Sequence, residues 1–380
     1  MGLIEWIGTL GSSALGYIVP FLFVLTLVVF FHELGHFLVA RWTGVAVKTF
    51  SIGFGPELFG FDDRKGTRWK LSAVPLGGYV RFFGDENEAS VPDSDALAAM
   101  DPVDRARSFA GKGVAARAAI VAAGPIANFL LAIAIFTVIF SIYGREVMTP
   151  RVDSVIPDSP AATAGFQPGD VIESIDGSKI SSFTDLQRLV SLSSGSVLDV
   201  VVRRGDQQLT LSVQPKLTET DVFGRKQRIA MLGISRSANG VGVVTEHYSV
   251  PAAAWVATQE TASIAGHTLA YLLAVIVGRE SADQIGGPIQ VAEVSAQVAT
   301  LGITALINLA AILSISIGLI NLFPIPMLDG GHLMFFAVEA IRGKPLSDRV
   351  QEIGFRVGFA AVLMLMIFAT WNDIIHLSSL

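Results

Sequence analysis

The sequence predicts a polytopic α-helical membrane protein with four transmembrane helices, a membrane-associated β-hairpin and an inserted extracytoplasmic α/β domain. Three observations predict this fold class. Hydrophobic residues make up 51% of the 380 residues, and the mean hydropathy of +0.56 is too high for an ordinary soluble protein. Apolar runs long enough to cross a bilayer recur along the chain. One internal stretch of about 90 residues is instead polar, which is typical of a soluble domain.

The composition also limits the chemistry and the partners. A formal net charge of −6 gives no basis for nucleic-acid binding, so nucleic acid is not an expected partner. Membrane lipid is an expected partner because of the apolar runs. The chain has no cysteine. A zinc site would therefore have to use histidine and carboxylate side chains, because thiolate ligands are excluded.

The first predicted span, residues 17–40, contains the sequence H-E-x-x-H as His32, Glu33 and His36. Positions i and i+4 lie on one face of a helix, so the two histidines can bind one metal ion. Glu33 lies beside them and can take a proton from water. The simpler interpretation is that these residues serve helix packing only, but polar residues inside a span are costly unless they are paired or functional.

The section between the first two spans has two parts. Residues that favour strands flank Pro75 and the pair Gly77–Gly78, which predicts strands around a turn within residues 68–82. Residues 84–104 are acidic and rich in small side chains, which predicts an exposed loop.

The second predicted span covers residues 114–143 and completes a first membrane domain at residues 1–145. It contains Gly124 and Pro125, and small residues in a span allow close approach of helix backbones. Asn128 is a polar residue at depth in the membrane. For this residue the sequence favours a hydrogen bond to another helix over a direct part in chemistry.

The polar stretch forms a second domain at residues 146–240. Its runs at residues 198–202 and 209–213 predict strands, and Gly205-Asp206 between them predicts a hairpin turn. A capping residue, Ser182, begins a predicted helix that continues to residue 190.

The rest of the chain returns to the membrane. Residues 241–300 predict amphipathic helices on the membrane surface, interrupted at Gly286-Gly287-Pro288. The last domain, residues 301–380, contains a third span at residues 301–323 and a fourth at residues 353–371.

Basic residues predict the orientation. The loop after the first span is rich in Lys and Arg, whereas residues 1–16 and the tail from Ala369 have none. The positive-inside rule then places this loop in the cytoplasm, with the second domain and both termini on the other side. The H-E-x-x-H motif then lies near the cytoplasmic end of the first span.

Asp329 is the expected third ligand. It follows Pro324 and Pro326, which break the helix at the membrane, where unwound backbone normally lines a polar cavity. The two histidines and Asp329 would leave the fourth position of zinc open for water. Two alternatives remain. Asp329 could be the N-cap of a helix that starts at His332, or His332 could itself be the ligand, although its proximity to Asp329 favours a supporting role.

These motifs resemble the site-2 protease family of intramembrane zinc metalloproteases, peptidase family M50. Residues 321–330 match the family pattern N-x-x-P-x-P-x-L-D-G at every fixed position. Residues 124–128 match G-P-x-x-N, a feature of the bacterial RseP-type subgroup. Residues 161–172 match the A-x-x-A-G-x-x-x-G-D-x-I pattern of a permuted PDZ domain. The chain has room for a single PDZ domain, whereas many relatives carry two.

The resemblance implies roles for individual residues. It implies Zn²⁺ as the cofactor, His32, His36 and Asp329 as its ligands, and Glu33 as the catalytic base. It also implies that Asn321 holds the substrate backbone near the metal.

The resemblance further implies two peptide-binding strands. Residues 68–82 resemble a re-entrant β-hairpin that pairs with an unwound substrate, with Gly77, Gly78 and Tyr79 in the binding stretch. In the PDZ domain the expected peptide-binding strand lies at residues 231–235, although this domain could instead obstruct large substrates by its size.

The implied activity is hydrolysis of peptide bonds within transmembrane segments of single-pass membrane proteins. Expected substrates are anti-sigma factors first trimmed by another protease, and remnant signal peptides. One alternative is a non-proteolytic scaffold whose PDZ domain binds exported chain ends, but a scaffold does not need Glu33. Another is a metal transporter, which would need polar residues along several spans rather than at one face of the membrane.

Overall fold

The computed structural model describes residues 3–84, 100–180, 182–193, 196–222, 225–235, 243–277 and 286–378. The chain forms two compact units. The first, the membrane unit, combines Met1–Ile139 with Ser249–Leu380, and the second, the inserted module, is Phe140–Tyr248. Most of the acidic stretch at residues 84–104 lies outside the described residues.

Four helices among the described residues are long and apolar enough to cross a membrane, in agreement with the four spans that the sequence predicts. They are α1 (Leu3–Trp42), α3 (Val114–Ile142), α8 (Ile303–Asn321) and α10 (Asp348–Ser378). Shorter or less apolar helices accompany them: α2 (Pro102–Arg107), α6 (Val250–Ile276), α7 (Pro288–Ala299) and α9 (Asp329–Arg342).

The helix α7 packs along α1 and is capped by the last helix, α10. Asp373 of α10 is buried, and its carboxylate accepts hydrogen bonds from the backbone N–H groups of Gly287 (2.9 Å), Ile289 (3.1 Å) and Gln290 (3.2 Å). The first N–H groups of a helix have no partner within the helix, and this carboxylate supplies one from a distant part of the chain.

Two long strands, β1 (Val47–Asp62) and β2 (Arg68–Phe82), form a folded-over sheet. Ile52 of β1 pairs with Gly78 on one side and with Leu71 on the other, so the middle of β1 is flanked by β2 on both sides. The expectation of a hairpin within residues 68–82 therefore needs correction. The two arms of this segment pair with β1 rather than with each other, and the chain crosses between them around Gly77, where φ is +111°.

Hydrogen bonds to Asp63 attach the turn between β1 and β2 to the end of α1. Asp63 accepts from Arg41 of α1, from the Trp69 indole (3.2 Å) and from the backbone N–H groups of Lys65 (2.9 Å) and Thr67 (3.0 Å). Burial alone would raise the pKa of Asp63, but these hydrogen bonds lower the pKa to about 2. The sheet is thus fixed to the helix that carries the H-E-x-x-H motif.

The inserted module has its own apolar core beneath a four-stranded sheet, in which β6 (Ser178–Lys179), β5 (Val171–Ile175), β7 (Leu198–Arg204) and β8 (Gln207–Val213) lie in that order. The helix α5 (Phe183–Leu192) starts with a capping box between Ser182 and Asp185, and a turn at Gly205-Asp206 joins β7 to β8, so both of these predictions are confirmed. The bounds of its elements are β3 (Arg145–Met148), β4 (Ser154–Val155), α4 (Pro160–Ala164), β5 (Val171–Ile175), β6 (Ser178–Lys179), α5 (Phe183–Leu192), β7 (Leu198–Arg204), β8 (Gln207–Val213), β9 (Lys216–Val222), β10 (Arg225–Met231), β11 (Ile234–Ser235) and β12 (Val243–Glu246).

Three further strand pairs belong to the module: β3 with β12, β4 with β11, and β9 with β10. Within the expected peptide-binding stretch at residues 231–235, Ile234 and Ser235 pair with Val155 and Ser154. One edge of this short strand is therefore already occupied by the module itself.

A buried ion pair holds the start of β5 to the end of β7. Asp170 accepts from Nε (2.7 Å) and Nη2 (2.8 Å) of Arg204 and from the backbone N–H of Gln167 (2.9 Å). Burial alone would raise the pKa of Asp170, but these hydrogen bonds hold the pKa below its usual value. The folded module thus stabilises the carboxylate form of Asp170 over the protonated form.

Candidate metal centre

The helix α1 places His32 and His36 on one face, one turn apart, as the H-E-x-x-H spacing predicts. Their Nε2 atoms lie 3.2 Å apart. Both side chains are mostly buried, with 12% of each exposed. The two ring nitrogens thus converge on one point beside the helix.

Asp329 completes the cluster from the other end of the chain. Its Oδ2 atom lies 3.2 Å from Nε2 of His32 and 3.6 Å from Nε2 of His36. Asp329 is the first residue of α9, and Leu328 occupies the N-cap position, so the alternative interpretation of Asp329 as an N-cap is wrong. Among the described residues, these three form the group of histidine and acidic side chains that could hold a metal ion.

The spacing of these three atoms fits a zinc ion. Zinc bonds of about 2.0–2.2 Å at tetrahedral angles place ligand atoms roughly 3.3–3.5 Å apart. The observed separations of 3.2, 3.2 and 3.6 Å lie around that range. The Oδ2 atom of Asp329 is buried, and no described residue donates a hydrogen bond to it with ordinary geometry. A cation between the three atoms would give this oxygen its partner.

The tautomer of His36 is also the one that a metal ligand needs. Its Nδ1 lies 2.9 Å from the backbone carbonyl of Ile120, and a carbonyl can only accept, so Nδ1 carries the hydrogen. The lone pair of His36 is then on Nε2, directed at the cluster. This is the usual arrangement of a metal-binding histidine.

The helix α3 packs against both rings. A Cβ atom on Gly124 would lie 2.3 Å from Nε2 of His36 and 3.0 Å from Cε1 of His32, so no larger residue fits there. One turn further on, Asn128 is fully buried, and its Nδ2 lies 3.3 Å from Nδ1 of His32. The hydrogen bond to another helix that the sequence favours for Asn128 is confirmed.

Glu33 faces the same cavity from the neighbouring position on α1. The backbone N–H of Val80 in β2 donates a hydrogen bond to its carboxylate, and a Cβ atom added at Gly78 would lie 3.1 Å from its Cγ. Glu33 is thus fixed between the metal cluster and the sheet, where a proton acceptor would be needed.

The cavity around the cluster has a volume of about 240 Å³. Seven predicted site residues line it, but Gly77 does not, since Gly77 lies at the bend of β2 against Phe54. The lining residues are His32, Glu33, His36, Gly78, Tyr79, Val80, Phe82, Phe109, Ile120, Val121, Asn321, Met327, Asp329 and His332.

Sequence reasoning missed the support that α3 gives to the histidines. It missed the carbonyl of Ile120, the close contact of Gly124 and the partner of Asn128. These positions are separated by four residues each, so they lie on one helix face, and that spacing is the signal that could have identified them.

The family model described as Peptidase family M50 matches residues 20–365 of this chain. The chain belongs to peptidase family M50. A protein of Agrobacterium fabrum named as a zinc metalloprotease is 52% identical over 360 residues, covering 94% of this chain and 96% of that relative. Metalloprotease MmpA of Caulobacter vibrioides is 42% identical, covering 94% and 95% of the two chains.

One solved structure among those similar to this chain is the PDZ domain of HtrA3 bound to a phage-derived ligand. It covers 19% of this chain and 81% of its own, with 30% identity and a TM-score of 0.17.

As a member of this family, the chain is a membrane protein and a zinc metalloprotease. Zinc is its cofactor, and His32, His36 and Asp329 form the cluster that can hold the ion.

Proposed function

We propose that this protein is an intramembrane protease of the site-2 type, which hydrolyses peptide bonds within transmembrane segments of single-pass membrane proteins. The observation that carries the proposal is the convergence of Asp329 with His32 and His36, which lie on a helix long and apolar enough to span a membrane. A zinc site at that position would act on a substrate that is itself in the membrane.

The chain's own residues divide the chemistry between them. His32, His36 and Asp329 would hold the zinc ion. A zinc ion bound there would supply Lewis-acid chemistry for a peptide carbonyl and for water. Glu33 accepts the proton of the attacking water and donates it to the leaving amine. The backbone N–H of Val80 holds the Glu33 carboxylate towards the cavity.

The substrate segment must unwind before hydrolysis, because the carbonyls of a membrane helix are held in hydrogen bonds. Residues 78–82 of β2 pair with β1 along one edge, and a Cβ atom added at Gly78 would lie 3.0 Å from Val29 and 3.1 Å from Glu33 of α1. We infer that the unwound segment binds as an extended chain beside Gly78 and Tyr79, and that Asn321 holds its backbone over the metal. Gly77 acts indirectly, through the bend that positions Gly78.

The proposed substrates are anti-sigma factor-like proteins and remnant signal peptides, processed in regulated intramembrane proteolysis. The proposed location is the bacterial inner membrane, with the metal cluster towards the cytoplasm and the termini and inserted module in the periplasm, as the distribution of basic residues favours. The module, at residues 146–240 in the sequence prediction, acts as a PDZ domain that binds chain ends or excludes bulky substrates.

The competing function is a scaffold that binds membrane proteins without cleaving them. A scaffold would give no reason for a carboxylate fixed by Val80 beside three converging ligand atoms. That arrangement favours the protease.

The deciding experiment is Glu33→Gln in the full-length protein, reconstituted with a single-span substrate. Glutamine is nearly the same size but cannot accept the proton, so cleavage should fall by about 10²–10⁴-fold while bound zinc is retained. Glu352→Gln is the matched control, because Glu352 is exposed and pairs with Arg356 away from the cavity. Cleavage by Glu33→Gln at the rate of the control would contradict the mechanism.

A further inference from the structure

The position of Nε2 of His32 beside the metal cluster determines which of its two ring nitrogens carries the hydrogen. Nε2 of His32 lies 3.2 Å from both Nε2 of His36 and Oδ2 of Asp329. A neutral imidazole that offers the Nε2 lone pair to a cation carries its hydrogen on Nδ1. That N–H is directed into the protein, so it needs an acceptor there.

Asn128 is the residue that meets Nδ1 of His32. Its Nδ2 lies 3.3 Å from this atom, and its Oδ1 is buried without a donor among the described residues. The two ends of a side-chain amide have the same shape, so a half-turn exchanges the NH₂ group and the oxygen without changing the packing. After this half-turn, Oδ1 accepts the Nδ1–H of His32.

We propose that Asn128 is a positioning residue for the metal, whose side-chain carbonyl fixes His32 in the tautomer that offers Nε2 to zinc. This deepens the proposed function and rests on the metal site in it. His36 has the equivalent support from the carbonyl of Ile120, at 2.9 Å. One face of α3 therefore orients both histidines of α1, through one backbone carbonyl and one side-chain carbonyl.

Zn²⁺ affinity tests this role directly. The full-length protein is purified in detergent, and its affinity for Zn²⁺ is measured by competition with a chromophoric chelator, without substrate. Two substitutions of similar size have opposite chemistry. Asn128→Leu removes the acceptor and should weaken Zn²⁺ binding by about 10–100-fold, the usual effect of losing such a contact. Asn128→Asp keeps an acceptor for Nδ1–H and should retain the parent affinity.

The matched control is Ser314→Ala. Ser314 of α8 is buried and donates to the backbone carbonyl of Asn128 at 2.9 Å, so this variant disturbs the same helix contact but leaves the amide in place. Its Zn²⁺ affinity should equal that of the parent. If Asn128→Leu does not accumulate in the membrane, Asn128→Ala replaces it, since alanine also lacks the acceptor and does not add volume.

Parent-like Zn²⁺ affinity in the Leu or Ala variant would overturn the proposal. So would an equal loss in Ser314→Ala, because helix packing would then explain the effect. Absorption spectra of the Co²⁺-loaded proteins give a second measurement, in which Asn128→Leu should alter the visible bands and Ser314→Ala should not. A parent protein that binds no Zn²⁺ would instead contradict the proposed function itself.

Discussion

His32 and Asp329 belong to α1 and α9, and their Nε2 and Oδ2 atoms lie 3.2 Å apart. The contact brings the first membrane helix to the point where the chain re-enters a helix after Pro324 and Pro326. A metal held here would link the N-terminal and C-terminal parts of the membrane unit. Metal removal should therefore affect stability as well as activity.

The first prediction concerns Asp329→Asn. The amide is a weak zinc ligand, whereas loss of a supporting contact lowers metal affinity by about 10–100-fold. The Zn²⁺ affinity of Asp329→Asn should fall by more than this, and cleavage should be abolished. Metal analysis of the purified protein measures this effect. Full zinc occupancy in the variant would show that Asp329 is not a ligand.

The second prediction concerns Gly124→Ala. The added methyl group would lie 2.3 Å from Nε2 of His36 and would displace the ring, so Zn²⁺ affinity should fall at least about tenfold. Gly266→Ala is the control, because this helical glycine has open space around it. The control should keep its zinc and gain up to about 1 kcal/mol of stability. Equal zinc binding by the two variants would contradict the close packing of Gly124 against the histidines.

The third prediction concerns the orientation in the membrane. A reporter that is active only outside the cytoplasm should be active when fused after Ser237 or after Leu380. The same reporter should be silent when fused after Ser90, in the loop between the first two spans. The reverse pattern would place the metal cluster at the opposite face of the membrane.

The fourth prediction concerns acid stability of the inserted module. The pKa of Asp170 is lower in the folded protein than in the unfolded chain, where it is about 3.9. The resulting stabilisation is complete above that unfolded pKa and is lost as the pH falls through the folded pKa. Asp170→Asn should remove this part of the acid dependence. Hydrogen exchange of module amides in the full-length protein, followed as the pH is lowered, measures it.

The same pair gives a test at neutral pH. Arg204→Met leaves the Asp170 charge buried without its partner, and breaking a buried pair costs about 3–5 kcal/mol. The guanidinium is partly exposed, so the lower end of this range is expected. Arg203→Met, also on β7, removes an exposed pairing with Glu173 of β5 and should cost no more than about 1 kcal/mol.

The metal cluster could be predicted from the sequence because each of its parts is a local sequence pattern. The spacing of His32 and His36 follows from the helix period, and Asp329 follows a span broken by prolines. The polar character of Asn128 was equally visible. Its partner was not, because the register between α1 and α3 depends on contacts that no local spacing encodes.

The sheet shows the same limit. Residues that favour strands are evident around Pro75, yet the central position of β1 between two arms of β2 depends on pairings between distant residues. Phe54, Leu58 and Phe59 of β1 are exposed apolar side chains, so the alternation that marks a strand in a soluble protein is weak there. The capping box of α5 and the turn at Gly205-Asp206 were predictable because each is complete within a few residues.

The cap that Asp373 provides for α7 restricts how the membrane unit can open. Separating α10 from α7 would leave a carboxylate and the N–H groups of a helix start without their hydrogen-bond partners at the same time, and both losses are costly. The two helices should therefore travel together as one rigid piece. A lateral entrance for a transmembrane substrate would have to form between a different pair of helices in the membrane unit.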